Sequence, residues 1–410
     1  MSKKQREYDV VLLGASGFTG RLVAEYLLKH YGVGKDLNWA MAGRNQAKLE
    51  QVRGELEGKG AKDIPILIAD SNDPDSLAEL AQSCRVVCTT VGPYALYGSP
   101  VVEACVNAGT HYCDLTGEVQ WMQRMIKAHQ SAAEASGAKI VHTCGFDSIP
   151  SDLGVFFIQQ QMIAKYGVPA SHVRYRVQGA SGGFSGGTVA SMLNMMDEVE
   201  QDPSLQNVLE DPYALLPKGA HRGDDKHEST RAEYDDAFGC WTIPFVMAGI
   251  NTRVVRRSNA LMDFAYGKDF RYDEAVLLPE NKGALTAKVA AFATSAGTGA
   301  MAIKPLRNLA KRWLPAPGEG PNREKRENGN FDIRLYAHHP DDPDKDMLAR
   351  VTGDRDPGYG STSKMLAEAA VCLAKDDLPP GGGFLTPASA MGEPLVDRLV
   401  ANAGLTFEVE

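Results

Sequence analysis

Over its first third the chain alternates short apolar runs with longer stretches in which apolar positions return every three to four residues. The runs at 8–13, 37–42, 64–69, 85–91, 111–115 and 138–144 read as strands. Between them, residues 18–30, 46–56, 73–82, 99–108 and 119–136 carry the helical period. Strands alternating with helices at this spacing predict an α/β fold built on a doubly wound parallel sheet. Right-handed crossovers then bring every strand's C-terminal end to one edge, where ligands bind. A further helix is expected up to about residue 165, capped by Ser148 or Ser151, with Asp147 an equal alternative.

The pattern changes near residue 168. Residues 172–178 alternate apolar and polar, as a half-exposed strand does. A glycine-rich loop, 179–187, leads into an expected helix at 188–200. It is either a second seat for an anion or carbonyl oxygen or a flexible connector. Residues 201–240 are polar and expected to be loop-rich, and 242–247 and 251–257 read as strands or loop edges. A helical stretch at 285–314 begins Ala-rich and ends with basic residues among Leu and Trp. It reads as a helical hairpin on the core or as a peripheral membrane or lipid contact. Residues 315–330 are expected as a loop. The segments at 331–338 and 347–354 then alternate like two antiparallel strands, followed by a helix at 361–375, a loop at 379–383 and a last helix at 394–403.

Composition narrows the class. The 410 residues suggest two or three domains, and an apolar fraction of 43% with 23% charged residues is that of an ordinary globular protein. A net charge of −9 argues against a nucleic-acid partner, which selects for a basic face. Seven scattered cysteines without a Cys-x-x-Cys pair read as reduced, buried thiols in a cytoplasmic protein, with no metal site. The charged start, Met1 to Glu7, carries no secretory h-region.

Candidate chemistry lies where the strands end. The run Gly14-Ala-Ser-Gly-Phe-Thr-Gly20 follows the first strand and opens the first helix. Glycines there let the backbone approach a pyrophosphate, and the helix start favours its charge. Gly14, Ser16, Gly17, Phe18, Thr19 and Gly20 are therefore the expected phosphate cradle. After the second strand comes Arg44, where an NAD site would want a carboxylate. A planar cation suits a 2′-phosphate and points to NADP(H). Asp70 follows the third strand, near the expected adenine. Gly92 and Pro93 follow the fourth in a rigid turn carrying Tyr94 and Tyr97, and Glu118 follows the fifth. Tyr97, Tyr94 and Glu118 are the candidate catalytic residues, as proton donors or carbonyl-polarising groups. Each tyrosine could equally be a core residue with a satisfied hydroxyl.

Together the motifs resemble a known family. Gly-Ala-Ser-Gly-Phe-Thr-Gly (14–20), Ala-Gly-Arg (42–44), Val-Gly-Pro-Tyr (91–94), Tyr-Cys-Asp-Leu-Thr-Gly-Glu (112–118) and Gly-Phe-Asp-Ser-Ile-Pro-Ser-Asp-Leu-Gly (145–154) are similar to the saccharopine dehydrogenase-like oxidoreductases, the trans-acting enoyl reductase type in particular. The resemblance implies a Rossmann-like NADP-binding domain at 1–150 and an α+β domain with an antiparallel sheet at 151–352, used for substrate and for a candidate homodimer. It also implies a segment at 353–410 that returns to the first domain. The implied activity is NADPH-dependent reduction of an activated C=C bond on a small-molecule or carrier-bound acyl substrate. A saccharopine-type dehydrogenase is the second reading, with Arg174, Arg176, Arg253, Arg256 and Arg257 available for a tricarboxylate. Alternation in both strands would send neighbouring arginines to opposite faces. A non-catalytic nucleotide-binding protein at a membrane or lipid surface, working through 285–314, is the third.

Overall fold

The computed structural model describes residues 6–181, 186–310 and 320–410. Six strands come first: β1 (Tyr8–Leu13), β2 (Trp39–Gly43), β3 (Ile66–Ile68), β4 (Cys84–Thr89), β5 (His111–Cys113) and β6 (Lys139–Val141). Six helices follow them in turn: α1 (Phe18–Tyr31), α2 (Gln46–Glu55), α3 (Pro74–Ser83), α4 (Tyr94–Ala108), α5 (Val119–Ser136) and α6 (Ile149–Tyr166). The middle of the chain supplies β7 (His172–Ala180), α7 (Gly186–Gln201), α8 (Leu205–Glu210), β8 (Glu233–Asp235), β9 (Cys240–Pro244), α9 (Ala248–Leu261), β10 (Arg271–Leu277), α10 (Ala284–Ala302) and α11 (Lys304–Ala310). The rest comprises α12 (Arg323–Glu327), β11 (Phe331–His338), β12 (Met347–Gly353), α13 (Thr362–Lys375), β13 (Gly383–Leu385), α14 (Pro387–Ala390), α15 (Gly392–Asn402) and β14 (Leu405–Val409).

The first sheet has the order β13-β6-β5-β4-β1-β2-β3, and every pair in it is parallel. The chain runs outward from β1 to β3, then returns to β4 on the other side of β1. The switch point between β1 and β4 is where such sheets open a ligand crevice. Apolar positions of β1 alternate between two packed layers. Val10 and Leu12 face one layer, which also holds α1 and α13, while Val11 and Leu13 face the other, with α3, α4 and α5. The second sheet has the order β14-β12-β11-β7-β10-β9-β8, antiparallel except for the parallel β7–β10 pair. Helix α6 joins the two sheets. It starts at the ligand edge of the first, and its Leu153 and Ile158 belong to the same apolar cluster as Val173, Leu335 and Val351 of the second.

Several elements differ from the sequence expectation. Helix α4 begins at Tyr94, not near residue 99. Pro93 stands at its N-cap, the Glu118 carboxylate accepts its first free N–H groups, and Gly98 fits inside it because a Cβ there would lie 2.6 Å from the Trp121 ring. Residues 251–257, expected as a strand or loop edge, lie in α9, so the argument from strand alternation does not apply to their arginines. Part of the expected loop at 379–383 enters β13. A Cβ on Gly382 would fall 2.3 Å from the Ala133 carbonyl oxygen, so glycine here marks a close backbone approach to the end of α5. Strands β10 and β14 carried no expectation. Residues 182–185 and 311–319 lie outside the described residues, and with them part of each segment expected there. No described helix is long and apolar enough to cross a membrane.

Candidate active site

The turn between β1 and α1 is built almost entirely of backbone. Gly14 has φ of 88°, and a Cβ on it would sit 2.8 Å from Val91 Cγ2 and 2.9 Å from Thr90 Oγ1. A Cβ on Gly20 would sit 2.2 Å from the Gly14 carbonyl oxygen, so α1 can press against the turn only with glycine there. Gly17 caps α1 without a side chain, and no acidic residue lies in the first turn, which leaves the positive end of the helix uncompensated. Ser16 and Gly17 are exposed, and Thr19 is half-buried. The Phe18 ring is committed to packing. It meets Tyr359 edge-on at 5.0 Å, carries the Arg326 guanidinium at 5.4 Å, and leaves no room for a Cβ on Gly320. Only the Phe18 backbone is left for a ligand.

Arg44 leaves the end of β2 exposed, with no hydrogen bond or ion pair among the described residues, while its neighbour Asn45 caps α2 through the Lys48 N–H. Asp70, half-buried after β3, closes its own turn by accepting from Asn72 N at 3.0 Å and Asn72 Nδ2 at 3.1 Å. Gly92, exposed, and Pro93, half-buried, form the lip of the β4–α4 turn across from the glycine cradle. An uncapped helix start, a glycine turn too tight for any Cβ and an unpaired guanidinium at the second strand end together fit a dinucleotide with a 2′-phosphate.

The three candidate catalytic residues are separated by their surroundings. The Tyr94 side chain is buried against Trp121 at 5.7 Å. Its hydroxyl donates to the Thr89 carbonyl at 3.3 Å and accepts from Leu115 N at 3.2 Å. Burial, with Asp114 nearby, holds it well above the ordinary tyrosine range. That is a core tyrosine tying β4 to the β5 loop. Glu118 accepts from Tyr94 N at 2.8 Å and Ala95 N at 2.9 Å, so its carboxylate caps α4. Burial raises its pKa, and those two N–H groups partly offset the rise. Tyr97, one turn into α4, is half-buried, and its hydroxyl has no partner among the described residues. Asp114 shapes the same edge. It is fully buried and accepts from Tyr112 Oη, Thr116 N and Thr143 N, with His142 Nδ1 at 2.7 Å, and so joins the ends of β5 and β6.

A second polar cluster, absent from the sequence reading, stands at the start of α6. Ser148 occupies the N-cap but makes no capping bond, contrary to expectation, and its hydroxyl is buried without a partner. The hydroxyls of Ser151 and Tyr175 and the Asn251 Oδ1 are likewise buried and unpartnered. Glu274 of β10 accepts from Tyr272 Oη at 2.6 Å and Asn251 Nδ2 at 3.0 Å. Burial lifts both Glu274 and Asp147 to about 7. Asp152, also in the first turn of α6, is held apart from this group by Ser258 Oγ and Ala388 N.

The five arginines proposed for a tricarboxylate are bonded within the chain. Arg174 and Arg176 both pair with Asp235. Arg253 reaches Glu228 and the Leu209 carbonyl, Arg256 reaches Asp225, and Arg257 binds the carbonyls of Leu215 and Phe384. Helix α9 therefore turns three guanidiniums inward to fasten the 209–228 segment and β13.

Residues 10–141 match the model of the saccharopine dehydrogenase NADP-binding domain. Along its whole length the chain is 41% identical to a Mycobacterium tuberculosis protein whose name assigns trans-acting enoyl reductase activity provisionally, covering 99% of that protein. It is 37% identical to the trans-acting enoyl reductase of Mycobacterium bovis, with 97% of each chain aligned. The chain belongs to the saccharopine dehydrogenase-like oxidoreductases. The fold agrees: apo saccharopine dehydrogenase (L-Glu forming) from Saccharomyces cerevisiae superposes with a TM-score of 0.54 over 98% of this chain and 99% of that one, at 12% identity. The protein is thus an NAD(P)-dependent oxidoreductase, with its NADP-binding domain at the glycine turn.

Proposed function

We propose that the protein reduces the C=C bond of an α,β-unsaturated acyl substrate carried on a partner, with NADPH as the donor. The observation that carries this reading is the disposition of the cations. The five arginines suited to a polyanionic amino acid are bonded within the chain, whereas Arg44 stands unpaired where a 2′-phosphate would lie. The names of the full-length mycobacterial relatives support the same choice over a saccharopine-type reaction.

The first N–H groups of α1 hold the pyrophosphate, and Arg44 holds the 2′-phosphate. When bound there, NADPH would supply a hydride for the β-carbon. Tyr97, on the first turn of α4 with no hydroxyl partner among the described residues, delivers the proton to the α-carbon. Glu118 fixes the first turn of α4 and so orients Tyr97. Leu285, Val289 and Phe292 are 77%, 61% and 75% exposed along one face of α10 and form the proposed contact for a lipid-like chain or lipid surface. Co-sedimentation with vesicles should fall when the three become serine, and equal partitioning would remove this contact. NADPH oxidation with short- and long-chain enoyl thioesters tests the reaction itself. Turnover supports it, and its absence in a protein that binds NADPH tightly counts against it.

A further inference from the structure

The start of α6 is a helix N-terminus left uncapped by its own serine, at the same sheet edge as the glycine turn. Ile149 N already donates to the Gly145 carbonyl, Asp152 N donates to that of Ser148, and Pro150 has no N–H, so among the described residues Ser151 N is the donor left open on this first turn. Ser151 sits on that first turn and lies against the side chains of Tyr175, Tyr272 and Glu274, which come from the facing strands β7 and β10. Asp147, half-buried just ahead of the helix, is close enough to bear on the Tyr175 hydroxyl, so the cluster runs from the cleft surface inward. Among the described residues Ser148 Oγ, Ser151 Oγ, Tyr175 Oη and Asn251 Oδ1 are buried and make no well-formed hydrogen bond, although Ser151 stands near enough to Tyr175, Tyr272 and Glu274 to interact with each. Buried polar groups are nearly always paired, so a concentration of orphans at a domain junction marks a place that something else completes.

We propose that this cluster is the seat of the substrate's acyl carbonyl oxygen, with the hydroxyls of Ser151 and Tyr175 as the donors. The assignment rests on the enoyl-reductase reading given above and names its substrate-holding half. When hydride reaches the β-carbon, the electron pair of the C=C bond moves toward the carbonyl and leaves negative charge on its oxygen. Donors fixed at that oxygen stabilise the enolate, which then collapses as the α-carbon takes a proton. Burial raises Glu274 and Asp147 to about 7, so near neutral pH each carries only part of a negative charge close to that oxygen.

The test uses the full-length protein saturated with NADP⁺ and crotonyl-pantetheine labelled with ¹³C at the carbonyl. Infrared difference spectroscopy reads the carbonyl stretch. Binding to the wild-type protein should move that band to lower frequency. Ser151→Ala and Tyr175→Phe should each reduce the movement and lower kcat/KM about 10²-fold, the scale of losing one such donor, with NADPH affinity unchanged. A band unmoved on binding would mean a cluster filled by water only and would overturn the seat. So would full movement retained in both variants. Loss of the seat with wild-type turnover intact leaves the reduction standing. A band shift in a wild-type protein that cannot turn over supports the seat and removes the reduction instead.

Discussion

Among the helix starts at the ligand edge of the first sheet, those of α1 and α6 are built in opposite ways. The start of α1 is made of glycine backbone, open to solvent, and complete within seven consecutive residues, Gly14 to Gly20. The start of α6 is made of side-chain hydroxyls, buried, and completed by Tyr175, Asn251 and Glu274 from far along the chain. The first suits a ligand part that never changes, a pyrophosphate recognised by backbone N–H groups. The second suits a part whose chemistry must be chosen, because side chains carry specificity. In the proposed reading the α1 turn serves the cofactor and the α6 start selects the substrate.

The sharpest way to break the comparison is at the backbone device. Gly20→Ala places a methyl group 2.2 Å from the Gly14 carbonyl oxygen, so the helix must move off the turn. NADPH binding, followed by nicotinamide fluorescence, should be lost altogether, and retained affinity would mean that the cradle lies elsewhere. Tyr97→Phe should lower kcat by about 10²- to 10⁴-fold, the range for losing a general acid, while NADPH affinity stays as it was. Tyr94→Phe, whose hydroxyl serves two backbone groups of the fold, should instead show its effect in the melting temperature. Arg44→Ala removes a charged partner worth about 1.5–3 kcal/mol. It should weaken NADPH binding about 10- to 100-fold and leave NADH unaffected in a thermal-shift titration. An equal response to both cofactors would remove the 2′-phosphate role.

The last effect belongs to the buried acid and shows in stability. Burial holds Glu274 at about 7 against an ordinary 4.5. Between these values the unfolded chain gives up the proton and the folded chain keeps it. Its contribution to stability is therefore full below about 4.5, falls as pH rises, and is lost above about 7. Glu274→Gln removes that fall. The melting temperature of the variant relative to wild type should rise by a few degrees between pH 4 and pH 8, roughly the scale of a few kcal/mol in a chain of this size. A constant difference across that range would place Glu274 in an ordinary, solvated setting.

The first sheet was legible in the sequence because its information is local. Each strand is an apolar run, each helix carries its own period, and the glycine spacing marks the turn without reference to anything distant. The place of Arg44 just after β2 was legible for the same reason, through its offset from the end of that strand. The start of α4 was not, because Gly98 and Pro100 look like breakers until the Trp121 ring and the Glu118 carboxylate are in place. Residues 251–257 misled because β-branched residues set among arginines imitate a strand. What decides in favour of the helix is the row of carbonyls and carboxylates on the 209–228 segment that receives those arginines. The Tyr175–Ser151–Glu274 group was invisible for a plainer reason: β10 carried no expectation, and nothing in sequence order brings residue 274 to residue 151.

The most direct test of the central claim follows the hydride. The enzyme, given crotonyl-pantetheine and NADPH carrying deuterium at both C4 positions, should yield saturated thioester with one deuterium at the β-carbon, read by mass spectrometry. No transfer to the thioester, with deuterium instead entering the C–N carbon of a saccharopine-type product from an amino acid and an oxo acid, would contradict it.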